Sequence, residues 1–231
     1  MRVMIAGASE EKQYLKSYRS FRDMTIRDGD ILIEPEEFTR GDITRMSLCD
    51  HFLENREYDA ILLLDLDMVH PKNLLEGLRE HDVDMVTAHY WKRKTPMESI
   101  IGTGDKWPYL PLKEPFPTSG LMEVSTTGFG AVLIKREVIQ GVSGLIPKGE
   151  HPMAIGPVPE LANGEVAMGS DMRFFYYARQ SGYKLWLDCG LESLHACNIW
   201  LSRWLYGKIR EEDYEAGELA KIEELHKQLY G

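Results

Sequence analysis

The sequence predicts an α/β fold: one domain with a mostly parallel central sheet flanked by helices. Three observations predict it. The run Tyr58–Leu64 (YDAILLL) is continuous and aliphatic, as expected of a central strand covered on both faces. A helical segment opened by Pro71 and a second apolar run, Val83–Ala88, follow it. Residues 58–88 therefore read as a strand–helix–strand unit, which favours a right-handed parallel crossover. Finally, 231 residues, 43% hydrophobic and 28% charged, are enough for one core without staples and rule out wholesale disorder.

Taken in order, Arg2–Ala6 (RVMIA) is a short apolar run ended by Gly7 and Ser9, a buried first strand. Residues 10–40 are polar and carry no clear period. Apolar residues at 43, 46, 49, 52 and 53 give a helix over 43–53, started at Gly41-Asp42 and stopped near Asn55. After the central strand, Asp65-Leu66-Asp67 breaks the run abruptly, and the next helix reaches about His81. Residues 95–120 are rich in Pro and Gly and read as a long loop, a length at which loops are often functional. Gly130–Lys135 returns to strand, and Arg136–Gln140 to a helical turn. Residues 141–169 read as a second, mobile loop. Ser170 is placed to cap a helix over Asp171–Ser181 that Gly182 ends. Lys184–Asp188 is a further strand, and the charged run from Glu211 a closing amphipathic helix or an interaction element.

The balance of 27 Lys and Arg against 37 Asp and Glu leaves a net charge of −10. Non-specific nucleic-acid binding needs the opposite excess, so no specific nucleic-acid partner is expected. Three cysteines are no disulfide framework and fit a reducing compartment. The apolar start of the chain is too short for a signal-peptide core, and no stretch approaches the roughly 18 apolar residues of a membrane span. A cytoplasmic protein is expected.

Asp65 and Asp67 stand two apart at the carboxyl end of a buried strand. If the strand geometry persists, both side chains point the same way. Ligands of open α/β sheets bind beyond the carboxyl ends of the strands. Two carboxylates there repel each other unless a cation intervenes, and Mg²⁺ or Mn²⁺ is the natural partner of oxygen ligands that also meet phosphates. Two solvated acids at a strand-end turn would read the same in sequence.

The segment YDAILLLDLDMVHPKNLLEGL resembles the donor-binding strand of GT-A-fold, nucleotide-sugar-dependent glycosyltransferases of the family-2 type. Three further segments follow in the order of that family. VSTTGFGAVLIK (124–135) resembles its glycine-containing strand under the acceptor site. GSDMRFFYYARQSGYKLWLD (169–188) resembles its acidic residue followed by a helix. Leu194-His195 stands where the family often has a metal-binding histidine, and HYWKRKTP (89–96) is similar to small phage and bacterial members. The likeness spans about residues 41–200. The turn AGASEE and Ser170-Asp171, where the family has Glu-Asp, depart from its pattern.

The resemblance implies a single GT-A-like (Rossmann-like) domain over 1–231. Residues 1–95 would be the nucleotide-sugar-binding half, 96–200 the acceptor and catalytic half, and 201–231 a C-terminal helical extension. It implies transfer of a sugar from a nucleotide diphosphate sugar to a hydroxyl acceptor (a glycan, a protein or a small molecule), inverting the anomeric centre. Asp67 and His195 would ligate Mn²⁺ or Mg²⁺, and Asp65 would ligate it through water or contact the ribose. Asp171 would be the general base, Arg45 and Arg93 would meet the diphosphate, and Gly128, Phe129 and Trp107 would line the substrate.

Each residue also has a plainer reading. His195 would serve as a half-buried histidine, and Asp171 as an acid in a helix's first turn, where the dipole favours it. Gly128 and Gly130 would mark a bulge or tight bend. Trp107 and Tyr109 would anchor their loop, and Lys92 and Lys94 would be solvated surface. Two rival functions share the pattern: a metal-dependent nucleotidyltransferase, for which AGASEEK is a poor phosphate loop, and a non-catalytic nucleotide- or glycan-binding protein on a degenerate transferase fold.

Overall fold

A computed structural model describes residues 1–8, 15–33, 40–93, 98–105, 109–113, 115–158 and 167–195. Trp107, expected to line the substrate, and the helical extension 201–231 lie outside them.

In chain order the elements are β1 (Val3–Ala8), α1 (Leu15–Arg22), β2 (Ile31–Ile33), α2 (Gly41–Glu54), β3 (Ala60–Asp65), β4 (Met68–Val69), α3 (Leu74–Glu80), β5 (Met85–His89), β6 (Gly102–Thr103) and β7 (Leu110–Pro111). They continue with β8 (Leu121–Val124), β9 (Ala131–Lys135), α4 (Arg136–Leu145), β10 (Gly156–Pro157), β11 (Ala167–Met168), α5 (Ser170–Gln180), β12 (Leu185–Glu192) and β13 (Leu194–His195). Seven strands form the main sheet in the order β2-β1-β3-β9-β5-β12-β8. β1, β2, β3, β5 and β12 run one way, and β8 and β9 run against them.

The side chains of each strand alternate between two cores. Met4, Ala6, Ile61, Leu63, Val132 and Ile134 join Leu48 and Phe52 of α2, Val138 of α4 and Phe174 of α5. Val3, Ile5, Leu62, Leu64, Ala131 and Leu133 join Phe21 of α1 and Leu74, Leu75 and Leu78 of α3. The sheet is therefore sandwiched between helices. That explains why its central strands read as continuous apolar runs rather than alternating ones.

The strand–helix–strand unit keeps its parallel sense, but its strands are not neighbours. β9 inserts between β3 and β5, antiparallel to both. Pro71 precedes α3 by three residues rather than opening it; 72–73 form a turn first. The helical turn after β9 extends to a full helix, α4. Its first residue, Arg136, reaches back over the ring of Phe52, 4.1 Å from the centroid, and donates to the carbonyls of Phe52, Leu53, Asn55 and Tyr58. These carbonyls at and beyond the end of α2 would otherwise lack partners.

Ser170 is not the cap of α5. Gly169 holds that position, with extended backbone and no side-chain cap, and Ser170 is the first helical residue. Gly182 does end the helix: at φ +86° it takes the left-handed conformation that a C-terminal glycine supplies, and its N–H returns to the carbonyl of Arg179. Residues 141–145 belong to α4 rather than to a loop, and the described residues after them are tied to α5. The fully buried guanidinium of Arg173 donates to the carbonyls of His151, Ala154 and Pro157 and pairs with Glu150. Tyr109 lies under Arg179, 5.3 Å from ring centroid to guanidinium carbon, which favours the anchoring use of that loop aromatic.

Candidate functional site

The site gathers where β3 stops. The strand ends at Asp65, and Leu66-Asp67 form the turn into β4. The period-two geometry expected for the two acids therefore does not persist, and their carboxylates take different partners. Asp65 Oδ1 accepts a 2.5 Å hydrogen bond from Arg45 Nη2 of α2. Asp67 Oδ2 pairs with Arg93 Nη1 at 2.8 Å.

His195 arrives by a short antiparallel pairing, β13 on β4, that sets it opposite Met68 and so beside Asp67. Its Nδ1 is 2.8 Å from the carbonyl of Trp91, just beyond β5. A carbonyl only accepts, so Nδ1 carries a proton and Nε2 faces Asp67 Oδ1 at 3.6 Å. That distance is too long for a hydrogen bond. Asp67 Oδ1 is buried and has no hydrogen-bond partner. Burial pushes the Asp67 carboxyl up, but His195 and Arg93 outweigh it and leave it below its ordinary range. Burial likewise opposes a charge on His195, yet Asp67 and the Trp91 carbonyl raise it above the ordinary imidazole value.

The expected three-ligand set is not brought together: among the described residues no three His, Cys, Asp or Glu side chains converge on one point. The Asp65 carboxylate is paired with Arg45 instead. The carboxylate–imidazole pair Asp67 and His195 does fit a cation. A buried oxygen without a hydrogen bond faces, at 3.6 Å, an imidazole nitrogen whose ring is oriented by a backbone carbonyl, the usual support of a ligating histidine. That donor pair suits Mn²⁺ better than Mg²⁺.

Arg45 is less free than a diphosphate-binding residue was expected to be. Its guanidinium lies 5.6 Å from the Phe129 centroid as well as on Asp65. Burial disfavours its charge, but Asp65 and then Asp171 more than restore it. Phe129 itself is buried against Phe174 and Phe175. It forms the floor under Arg45, so its placement is structural, not substrate-facing as expected. Gly128 and Gly130 are likewise occupied by protein. A Cβ on Gly128 would strike Tyr90 Oη, and one on Gly130 would lie 2.7 Å from Met68 Sδ and 2.8 Å from Tyr90 Oη. Their missing side chains make room for Tyr90.

Asp171 lies in the first turn of α5, where its Oδ1 accepts the N–H of Met172 at 2.7 Å. A Cβ on Gly169 would sit 3.0 Å from that oxygen, so the glycine leaves the carboxylate space. Burial is the main influence on Asp171 and raises its pKa; Asp65 adds to the rise, while the Met172 N–H and Arg45 oppose it.

Two residues escaped the sequence reading. Tyr90 is buried, its hydroxyl accepts the N–H of Gly130 at 3.0 Å, and its ring meets the His195 ring edge-on at 5.6 Å. His70 is buried between Ser193 Oγ, 3.0 Å from Nδ1, and the Asp65 carbonyl, 3.2 Å from Nε2. Burial pushes its pKa down to about 4. The carbonyl fixes the tautomer: Nε2–H donates to it, and Nδ1 accepts from the serine hydroxyl. His70 thus ties the end of β3 to Ser193, the residue that leads into the strand carrying His195. Its signal in the sequence was its place three residues after Asp67. A separate row, Ser99–His89–Glu192, has the residue types of a nucleophile relay. But Ser99 is only 1% exposed and its Oγ already accepts the N–H of Ile101, so the row is structural.

No protein-family profile matches the chain, and no curated protein does. Solved structures do. The crystal structure of A197 from STIV superposes with a TM-score of 0.55 at 19% identity, over 86% of this chain and 87% of that one. The crystal structure of GalNAc-T7 with UDP, GalNAc and Mn²⁺ superposes with a TM-score of 0.56 at 12% identity, over 87% of this chain and 44% of that one. The fold is therefore GT-A-like, an architecture shared with a glycosyltransferase. At these identities the likeness concerns the fold. No helix among the described residues is long and apolar enough to cross a membrane.

Proposed function

We propose that the protein is a metal-dependent glycosyltransferase that moves a sugar from a nucleotide diphosphate sugar to a hydroxyl acceptor with inversion. The observation that carries this reading is the buried Oδ1 of Asp67, without a hydrogen bond, facing His195 Nε2 at 3.6 Å beyond the carboxyl end of the central strand. The GT-A-like fold supports it. So does GalNAc-T7, a structural neighbour whose crystals hold UDP and Mn²⁺.

Asp67 and His195 would hold Mn²⁺ or Mg²⁺; when bound, such an ion offsets the charge growing on the departing diphosphate, help worth several kcal/mol. Asp65, already neutralised by Arg45, would serve the ribose or the ion's water shell. Arg93 would meet the diphosphate. Asp171 would take the proton of the acceptor hydroxyl as its oxygen bonds to the anomeric carbon and the carbon–diphosphate bond breaks. A carboxyl raised by burial is a better base for that step than an ordinary one.

The test is calorimetric and chemical. Wild-type protein is heated with Mn²⁺, with UDP or GDP, and with both. The expected result is stabilisation by the pair, about 2.7 kcal/mol at a hundredfold excess over Kd. The stabilisation should vanish in Asp67→Ala. A panel of nucleotide sugars should then release nucleoside diphosphate. Absence of both stabilisation and release would end the proposal.

A further inference from the structure

The geometry points to Arg93 as an exchangeable counter-ion, which gives up the Asp67 carboxylate to a divalent cation only as its own guanidinium moves to a diphosphate. Metal and nucleotide then bind as a coupled pair, with Arg93 carrying the coupling. The inference rests on the proposed function and adds to it an order of events at the same site.

The two arginines of the site are built differently. Arg45 has a side chain 16% exposed, lies over Phe129 and is fixed on Asp65 at 2.5 Å. Arg93 has a side chain 47% exposed and contacts Asp67 through Oδ2 at 2.8 Å. A half-exposed ion pair is weak and gives way readily. The opposite oxygen of the same carboxylate, Oδ1, is buried without a hydrogen bond and faces His195. One side of Asp67 is thus shaped for a permanent partner, and the other is held by a cation that solvent can reach.

Charge favours the exchange. Asp65 and Asp67 face Arg45 and Arg93, while Asp171 acts on Arg45 and His195 on Asp67, so the carboxylates of the site already have cations beside them. A dication arriving alone adds two positive charges beside Arg93. A diphosphate arriving alone meets two carboxylates. Arriving together they nearly cancel, and Arg93 passes from the carboxylate to the phosphate, for which a planar guanidinium is well matched. By linkage, each ligand must then raise the affinity of the other by the same factor.

Free Mn²⁺, measured by electron paramagnetic resonance, reports binding to the full chain with and without UDP or GDP. For wild type, the nucleotide should tighten Mn²⁺ by about 5- to 150-fold, the ordinary range of such coupling. Arg93→Gln should bind Mn²⁺ alone at least about fivefold more tightly than wild type, and should bind the nucleotide with Mn²⁺ at least about fivefold more weakly. Arg93→Lys keeps the charge and should keep the weak binding of Mn²⁺ alone. Lys92→Gln removes the same charge one residue earlier, from a side chain paired with Glu98 at 3.3 Å, and should leave the coupling intact. If Arg93→Gln binds Mn²⁺ alone no better than wild type, Arg93 does not compete with metal, and the exchange is wrong while the proposed function stands. If wild type binds neither Mn²⁺ nor nucleotide, the proposed function itself fails and takes the exchange with it.

Discussion

Acidifying the chelator-treated protein from about pH 7.5 to about pH 4.5 is expected to remove stability through His70. The ring is buried, its Nε2–H donates to the Asp65 carbonyl, and its Nδ1 accepts from Ser193. A second proton would have to sit on Nδ1, charging a fully buried ring and turning the Ser193 hydroxyl from donor to acceptor. The unfolded chain takes that proton at the ordinary 6.5, the folded chain only at about 4. Between those values the unfolded state binds more protons, so stability falls as pH falls. It is undiminished above 6.5 and levels off below about 4. At about 1.4 kcal/mol per pH unit the interval is worth about 3 kcal/mol. Urea unfolding of wild type and His70→Gln across this range isolates the effect, because every other titrating group is common to both. Glutamine keeps a donor and an acceptor but cannot titrate. The difference between the two proteins should move by about 2 to 3 kcal/mol in the variant's favour toward low pH. A flat difference would mean that His70 is solvated or charged in the fold, and that it does not brace Asp65 against Ser193 as described.

Gly128→Ala should destabilise by about 1–3 kcal/mol, because its Cβ meets Tyr90 Oη. Tyr90→Phe alone strands the Gly130 N–H, for about 1–3 kcal/mol. The double variant should lose clearly less than the sum in urea unfolding; strict additivity would show that the glycine is needed for something other than room beneath the tyrosine. Asp171→Asn should keep metal-dependent nucleotide binding while steady-state turnover drops about 10²- to 10⁴-fold, and unchanged turnover would remove it as the base. In wild type the acid limb of the pH–rate profile should lie above the ordinary carboxylate value of 3.8, since the base must be ionised and burial raises it.

The main architecture was readable where physics is local. A short aliphatic run such as Ile61–Leu64 is the pattern of a covered strand, and the abrupt Asp65 marked its end. The glycine after α5 was readable for the same reason. What escaped depends on partners far away in the chain. Nothing within Ala131–Lys135 states that it will slip between β3 and β5 in reverse. The segment holding α1 shows one buried aromatic anchor, Phe21, too little to impose a period on polar surroundings. At the site, the acids and His195 were visible as residue types at a strand end. Their pairing was not, because it turns on where β3 stops: one residue after Asp65 the backbone is already turning, so a spacing of two no longer means one face. Phe129 was misassigned because a glycine-flanked aromatic looks the same in sequence whether it greets a sugar or supports an arginine.

The clasp between β4 and β13 has a bearing on how the molecule comes into being. Ser193 and His70, which it brings together, lie 123 positions apart, and His195 meets Met68 across a similar interval. During synthesis the first five strands and their helices can emerge and begin to pack long before the histidine exists. The pairing of Asp67 with His195 therefore forms only after the sheet's first strands have been made. Any ligand that needs both side chains cannot act as a template for the early stages of folding, and the nascent sheet must be stable enough to wait without it.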